Sequence, residues 1–219
     1  MDGRAELLTL EGKKLGKYAI HMSEPEPTKL RGAWRFTLHL RNAKDRVSAP
    51  VIYGRFFEGR GMWILPWLEV EYHSTVGFGD SELKLPHELE LKLFKALSGI
   101  LPPGGRIMVK YGGHLDTARA LAMGVPPPAT PLGSILWHAG FRWFKDWYFP
   151  EGWMEGDEKL QGNKPMDFEH EKKRVAAVTE KLRSFLRGKY NWDDDLLGKC
   201  RDLAGEVLKS IEEMDAPAK

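Results

Sequence analysis

Between Trp34 and Arg41 apolar and polar residues alternate without interruption: Trp34, Phe36, Leu38 and Leu40 against Arg35, Thr37, His39 and Arg41. A period of two belongs to a strand with one buried and one solvated face. Lys17 to Met22 and Ala49 to Phe57 are weaker runs of the same kind, and a longer one extends from Met62 to His73. Glu24-Pro25-Glu26-Pro27 and Asn42-Ala43-Lys44-Asp45 between them have turn chemistry. Strands joined by short polar turns predict a mostly antiparallel meander.

The period then changes. From Ser81 to Ser98 the leucines Leu85, Leu89, Leu93 and Leu97 recur at helical steps, and Gly99 with Pro102-Pro103-Gly104-Gly105 ends the pattern. Arg106 to Tyr111 reads as a short strand with Ile107, Val109 and Tyr111 on one face. Asp116 is the expected N-cap of a helix from Thr117 to Met123, with Gly124 just past its end. Val125-Pro126-Pro127-Pro128 is expected to be extended. Thr130 with Pro131 opens a helix to Ala139 that stops at Gly140, and Phe141 to Phe149 is the next strand, closed by a turn through Gly152. Two further amphipathic stripes follow, Phe168 to Phe185 and Leu196 to Met214, joined through Gly188 to Asp195. The fold class is therefore α+β: a domain over residues 1–160 and a helical hairpin over 161–219, which packs on that domain or pairs with a second copy as a homodimer.

Composition narrows the function classes. Lys+Arg minus Asp+Glu is 33 − 31 = +2, so no overall charge draws the chain to nucleic acid or membrane. Residues 1–60 hold a basic excess, but scattered and without repeated aromatic partners, which argues against an RNA surface. The single cysteine, Cys200, excludes a disulfide framework. The apolar run Gly61 to Leu68 contains Pro66 and is too short to cross a bilayer, and the first residues have no long apolar core, so a cytoplasmic protein is expected. One Gln and three Asn among many charges fit heat adaptation.

Three places carry candidate chemistry. In Leu68-Glu69-Val70-Glu71-Tyr72-His73, alternation sets Glu69, Glu71 and His73 on one face, where two carboxylates and an imidazole could serve as a general base, ligate a metal, or form solvated cross-strand ion pairs. Residues 137–153 hold 8 of the chain's 24 aromatics. Alternation there groups Trp143, Lys145 and Trp147 on one face and Asp146 and Tyr148 on the other: either a substrate-stacking pocket or a core strand with a snorkelling lysine. Lys110-Tyr111-Gly112-Gly113-His114 is a strand-to-helix turn in which Lys110 and the Gly112 amide could hold an anion. No nucleophile elbow, P-loop or His-Glu-x-x-His motif occurs.

The order of four strands, helix, strand, helix, Gly-Phe and strand resembles the GNAT acyltransferase fold, and Ala139-Gly140-Phe141-Arg142 matches a cue of that family. The block from Tyr111 to Pro165 looks like an archaeal family of uncharacterised proteins with the same fold. The residues carrying this likeness are Thr130 to Gly133, Gly140 to Gly152 and Lys159-Leu160-Gln161. The resemblance implies acetyl-CoA or another acyl-CoA as donor and a small-molecule or protein amine as acceptor. It further implies Glu69 or Glu71 as base, Tyr148 as acid, and a pyrophosphate loop at Ser74 to Ser81. That stretch has Gly77 and Gly79 but no Arg or Lys. Leu101 to Arg106 also resembles the late portion of S-adenosylmethionine-dependent methyltransferases, though no Gly-x-Gly-x-Gly follows an early strand. The competing class is a non-enzymatic binding or assembly module. The enzymatic reading requires a slot beside the middle strand, walled by the carboxylates and the indoles.

Overall fold

The computed structural model describes residues 2–59, 65–111, 114–147 and 159–165, with isolated positions at 167, 169, 173 and 176. By packing, the chain divides into one unit of Met1–Arg60 with Ile64–Pro165 and a second of Gly61–Trp63 with Met166–Lys219. The predicted C-terminal hairpin therefore lies outside the described residues, as do Gly112 and Tyr148.

The first unit opens with α1 (Gly3–Leu8), where the Asp2 carboxylate accepts from the Arg4 and Ala5 amides. The strands β1 (Tyr18–Met22), β2 (Glu26–Pro27), β3 (Ala33–Asn42), β4 (Ile52–Phe57) and β5 (Trp67–Tyr72) follow, consecutive neighbours lying antiparallel except that β1 pairs directly with β3. This is the meander that the alternation predicts. A hairpin of β6 (Thr75–Phe78) and β7 (Ser81–Lys84) then precedes α2 (His87–Gly99). After α2 come β8 (Arg106–Lys110), α3 (Leu115–Ala122), α4 (Pro131–His138), β9 (Trp143–Trp147) and β10 (Lys159–Asn163). The main sheet runs β1-β3-β4-β5-β8-β10-β9, with β2 beside β3. Its one parallel pairing is β5 with β8, as a crossover through a helix requires.

Three local expectations need correction. The helix expected from Ser81 begins at His87: Pro86 forces Leu85 out of the helical region, and Ser81 to Lys84 pairs instead with Thr75 to Phe78 around Gly79, whose φ is +61°. Asp116 is not the cap of α3; His114 holds that position and Asp116 sits in the first turn, where its charge suits the helix dipole. The triproline stretch is extended only at Pro126, since Pro127–Ala129 closes a 3₁₀ turn. Thr130 caps α4 as expected, its Oγ1 accepting from the Gly133 amide at 3.1 Å.

One sheet face is apolar. Phe36, Leu38, Ile52, Phe56, Leu68 and Val109 are buried on it, against Leu93 and Phe94 of α2 and Ile135 and Leu136 of α4. Gly54 belongs to this face because a Cβ there would lie 2.3 Å from the Phe36 ring. Among the described residues, no helix is long and apolar enough to cross a membrane.

Candidate functional site

The opposite face is built from the other half of every alternation. Register aligns its residues in rows across the sheet: Phe57, Trp67, Arg106, Asn163 and Trp143; then Arg35, Arg55, Glu69, Met108, Gln161 and Lys145; then Tyr53, Glu71, Lys110 and Lys159. The last two rows, short of Gln161 and Lys145, line an open trough of about 530 Å³. Glu69 is held by Arg55, Nη2 to Oε2 at 2.6 Å, with its side chain 20% exposed. Glu71 is freer at 49%, with Lys110 Nζ 4.0 Å from Oε2 and His73 Nε2 3.7 Å from Oε1. The His73 ring meets Tyr53 edge-on at 5.8 Å, and its Nε2 is shielded from water without a hydrogen bond. In the first row, Phe57 stacks on Trp67 at 4.4 Å and Arg106 lies 4.8 Å from the Trp67 ring centre.

Glu69, Glu71 and His73 thus share a face, but Glu69 turns to Arg55, and no group of three or more metal-donor side chains forms among the described residues. The slot is not a gap in the ladder. β5 and β8 stay paired from Trp67–Arg106 to Glu71–Lys110, so the carboxylates wall a trough above the sheet rather than a split between strands. Trp143 of β9 does not line it and is 61% exposed, and Lys145, read as a cation among indoles, is exposed too. Asp146 and Trp147 pair through their backbones with Leu160 and Lys159. Arg35, Arg55, Tyr53 and Lys159 were not anticipated. Alternation places them on a strand face, but only register brings them beside Glu71.

A second cavity, about 550 Å³, lies on the helix side, beyond the C-terminal ends of β5 and β8. Ser74, Lys84, His87, His114, Arg119 and Ser134 are among its walls. The first turns of both α2 and α3 open without a side-chain cap, leaving amide donors and positive dipole ends near the cavity. Glu90 also lines it, accepting the Tyr72 hydroxyl at 2.6 Å, with His87 Nδ1 3.8 Å from its other oxygen. Burial first, and then this bond to a carboxylate, push the Tyr72 hydroxyl well above its ordinary pKa. Gly77 and Gly79 do not join this site as a helix-opening loop. They belong to β6 and its turn, and the Gly77 carbonyl accepts from the Ala49 amide.

The described residues define a mixed α+β protein: a mostly antiparallel sheet with helices on one face, a charged trough on the other, and a second cavity at the ends of its parallel pair. Residues 16–189 match the family described as a protein of unknown function (DUF1122), and the chain belongs to that family. It is similar to the crystal structure of a protein of unknown function from Aquifex aeolicus VF5, with 28% identity and a TM-score of 0.55 over 90% of this chain and 96% of that chain. No curated protein matches it.

Proposed function

We propose that the protein is an N-acyltransferase of GNAT-like fold that moves an acetyl or other acyl group from coenzyme A to an amine. The observation that carries this reading is the placing of the two cavities on either side of the one parallel strand pair. Glu71 and Lys110, the last residues of that pair's register, border the trough; Ser74 and His114, just past the strand ends, border the helix-side cavity. In a sheet with parallel strands, the crevice beyond the carboxyl ends is the preferred ligand site. The strand order, with β10 inserted between β8 and β9 after a four-strand meander, also supports the GNAT resemblance.

The helix-side cavity fits a polyphosphate. Lys84 and Arg119 supply charge, beside the carboxylates of Glu90 and Asp116, His87 and His114 supply ring N–H donors, and the uncapped starts of α2 and α3 supply amides. Bound there, coenzyme A supplies an acyl thioester, whose C–S bond breaks as the new C–N bond forms. An amine in the trough must lose one proton as its nitrogen attacks. Glu71 is the base we assign: it is the more exposed of the two carboxylates, and its charge is not consumed by Arg55. His73, 3.7 Å away, orients it or relays the proton onward. The departing sulfur takes a second proton, the role that the resemblance gives to Tyr148. A binding module is the second reading, favoured by one observation: a hairpin carrying Asp80 stands where a basic phosphate loop is expected.

A thermal-shift titration with acetyl-CoA tests the donor site. At a hundred times the dissociation constant, a ligand of the folded state alone adds about 2.7 kcal/mol, so the midpoint should rise clearly, and less so for Arg119→Gln. With an amine acceptor, Glu71→Gln should lower kcat by about a hundredfold or more. An unmoved midpoint with millimolar acetyl-CoA would leave the binding-module reading.

A further inference from the structure

The open face carries two like-charge pairs set directly opposite each other. Lys159 on β10 faces Lys110 on β8, and Arg35 on β3 faces Arg55 on β4. Like charges opposed across a ladder destabilise a sheet. The inner member of each pair has a carboxylate near it: Arg55 is bonded to Glu69 at 2.6 Å, and Lys110 stands 4.0 Å from Glu71. Neither outer member, Arg35 or Lys159, makes a side-chain hydrogen bond or ion pair among the described residues, but Arg35 has Glu26 of β2 directly opposite it, which leaves Lys159 as the cation with no acidic neighbour in the register. The lining of the trough therefore holds four cations, Arg35, Arg55, Lys110 and Lys159, against two carboxylates, a balance of 4 − 2 = +2. Lys159 is half-buried and shares a row with Glu71 two strands away, about 10 Å at the usual strand spacing.

We infer that the molecule bound in the trough is an amine that also carries a carboxylate. Its ammonium lies toward Glu71 and His73, and its carboxylate, about 10 Å off, toward Lys159. The trough, at about 530 Å³, is the size of a small-molecule site. The inference deepens the acyl-acceptor reading of Glu71 and rests on it for the amine's position. A monocationic or dicationic amine gains nothing from Lys159, whereas an amino acid with a long spacer between its charges meets both signs at once.

Isothermal titration of the full chain at low salt, with no acyl-CoA present, separates this inference from acyl transfer. The probes are 6-aminohexanoate, hexylamine and 1,6-diaminohexane. The aminohexanoate should bind at least tenfold more tightly than either amine, a charge-assisted contact giving about that factor or more. The Lys159→Gln variant, checked for an unchanged melting midpoint, should lose that preference, and Lys159→Arg should keep it. Equal binding of hexylamine, an undiminished preference in Lys159→Gln, or no binding of 6-aminohexanoate to the native chain at tens of millimolar would overturn the inference. Failure of acetyl-CoA to bind would sink the donor reading and leave this result standing.

Discussion

Tyr72 and Glu90 form a buried polar pair on the apolar side of β5, joining it to α2 by a bond of 2.6 Å. A carboxylate in that position keeps its charge only if donors are supplied, and the tyrosine hydroxyl is the donor that reaches it directly. Tyr72→Phe keeps the ring and its edge contact with Phe94 but strips Glu90 of that bond, so it should cost about 1–3 kcal/mol in urea unfolding. The pH dependence has a definite sign. Because the folded-state pKa is raised above the ordinary value of 10.0, the neutral hydroxyl's contribution is fully present below pH 10 and is lost as pH rises above it. Wild type should lose stability in that alkaline range more steeply than Tyr72→Phe; parallel curves would show that the pair does not couple strand to helix. On the other side of the same strand, alternation alone made Glu69 and Glu71 neighbours on one face. Nothing in the spacing of β5 reveals that Glu69 is neutralised by Arg55 and Glu71 is not, because the register of β4 against β5 decides it.

At the scale of elements, α4 shows how a short helix is fixed at its start. Thr130 is fully buried, caps Gly133 and donates to the Pro127 carbonyl at 2.7 Å. The 3₁₀ turn of Pro127–Ala129 presses so closely that a Cβ on Gly133 would lie 1.7 Å from the Pro127 carbonyl oxygen. That obstacle is backbone, held by consecutive prolines whose φ is fixed. Gly133→Ala should therefore be more damaging than Thr130→Ala, for which loss of a cap costs about 1 kcal/mol. Comparing the two midpoints of unfolding tests the order, and a mild Gly133→Ala would mean that the turn can yield. The cap and the proline were legible in the sequence because they act within four residues. The β6–β7 hairpin was not, since Leu85 falls in helical step with Leu89 and Leu93; only Pro86, read as a barrier to the residue before it, could have moved the helix start. Strand β10 was hidden for another reason: Lys159–Asn163 contains Gly162 and little alternation, and its pairing with both β8 and β9 comes from residues far apart in the chain.

For the molecule as a whole, the parallel seam of β5 and β8 separates two cavities with different electrostatics. The trough gathers its charges from five strands, and the helix-side cavity takes its charges and dipole ends from the segments that follow β5 and β8. Among the described residues none lines both, so in a two-substrate reaction the two affinities should be separable. Replacing Lys159 by Gln should raise KM for an amino carboxylate by about tenfold and leave KM for acetyl-CoA near its native value, whereas Arg119→Gln should do the reverse. Both effects should shrink as ionic strength rises, because the charges that cause them are partly solvated and screened within about 10 Å at 0.1 M salt. Steady-state kinetics with each substrate varied in turn would decide the matter. If either variant moved both KM values together, the two regions would be one continuous site, and the strand pair between them would be a floor rather than a divide.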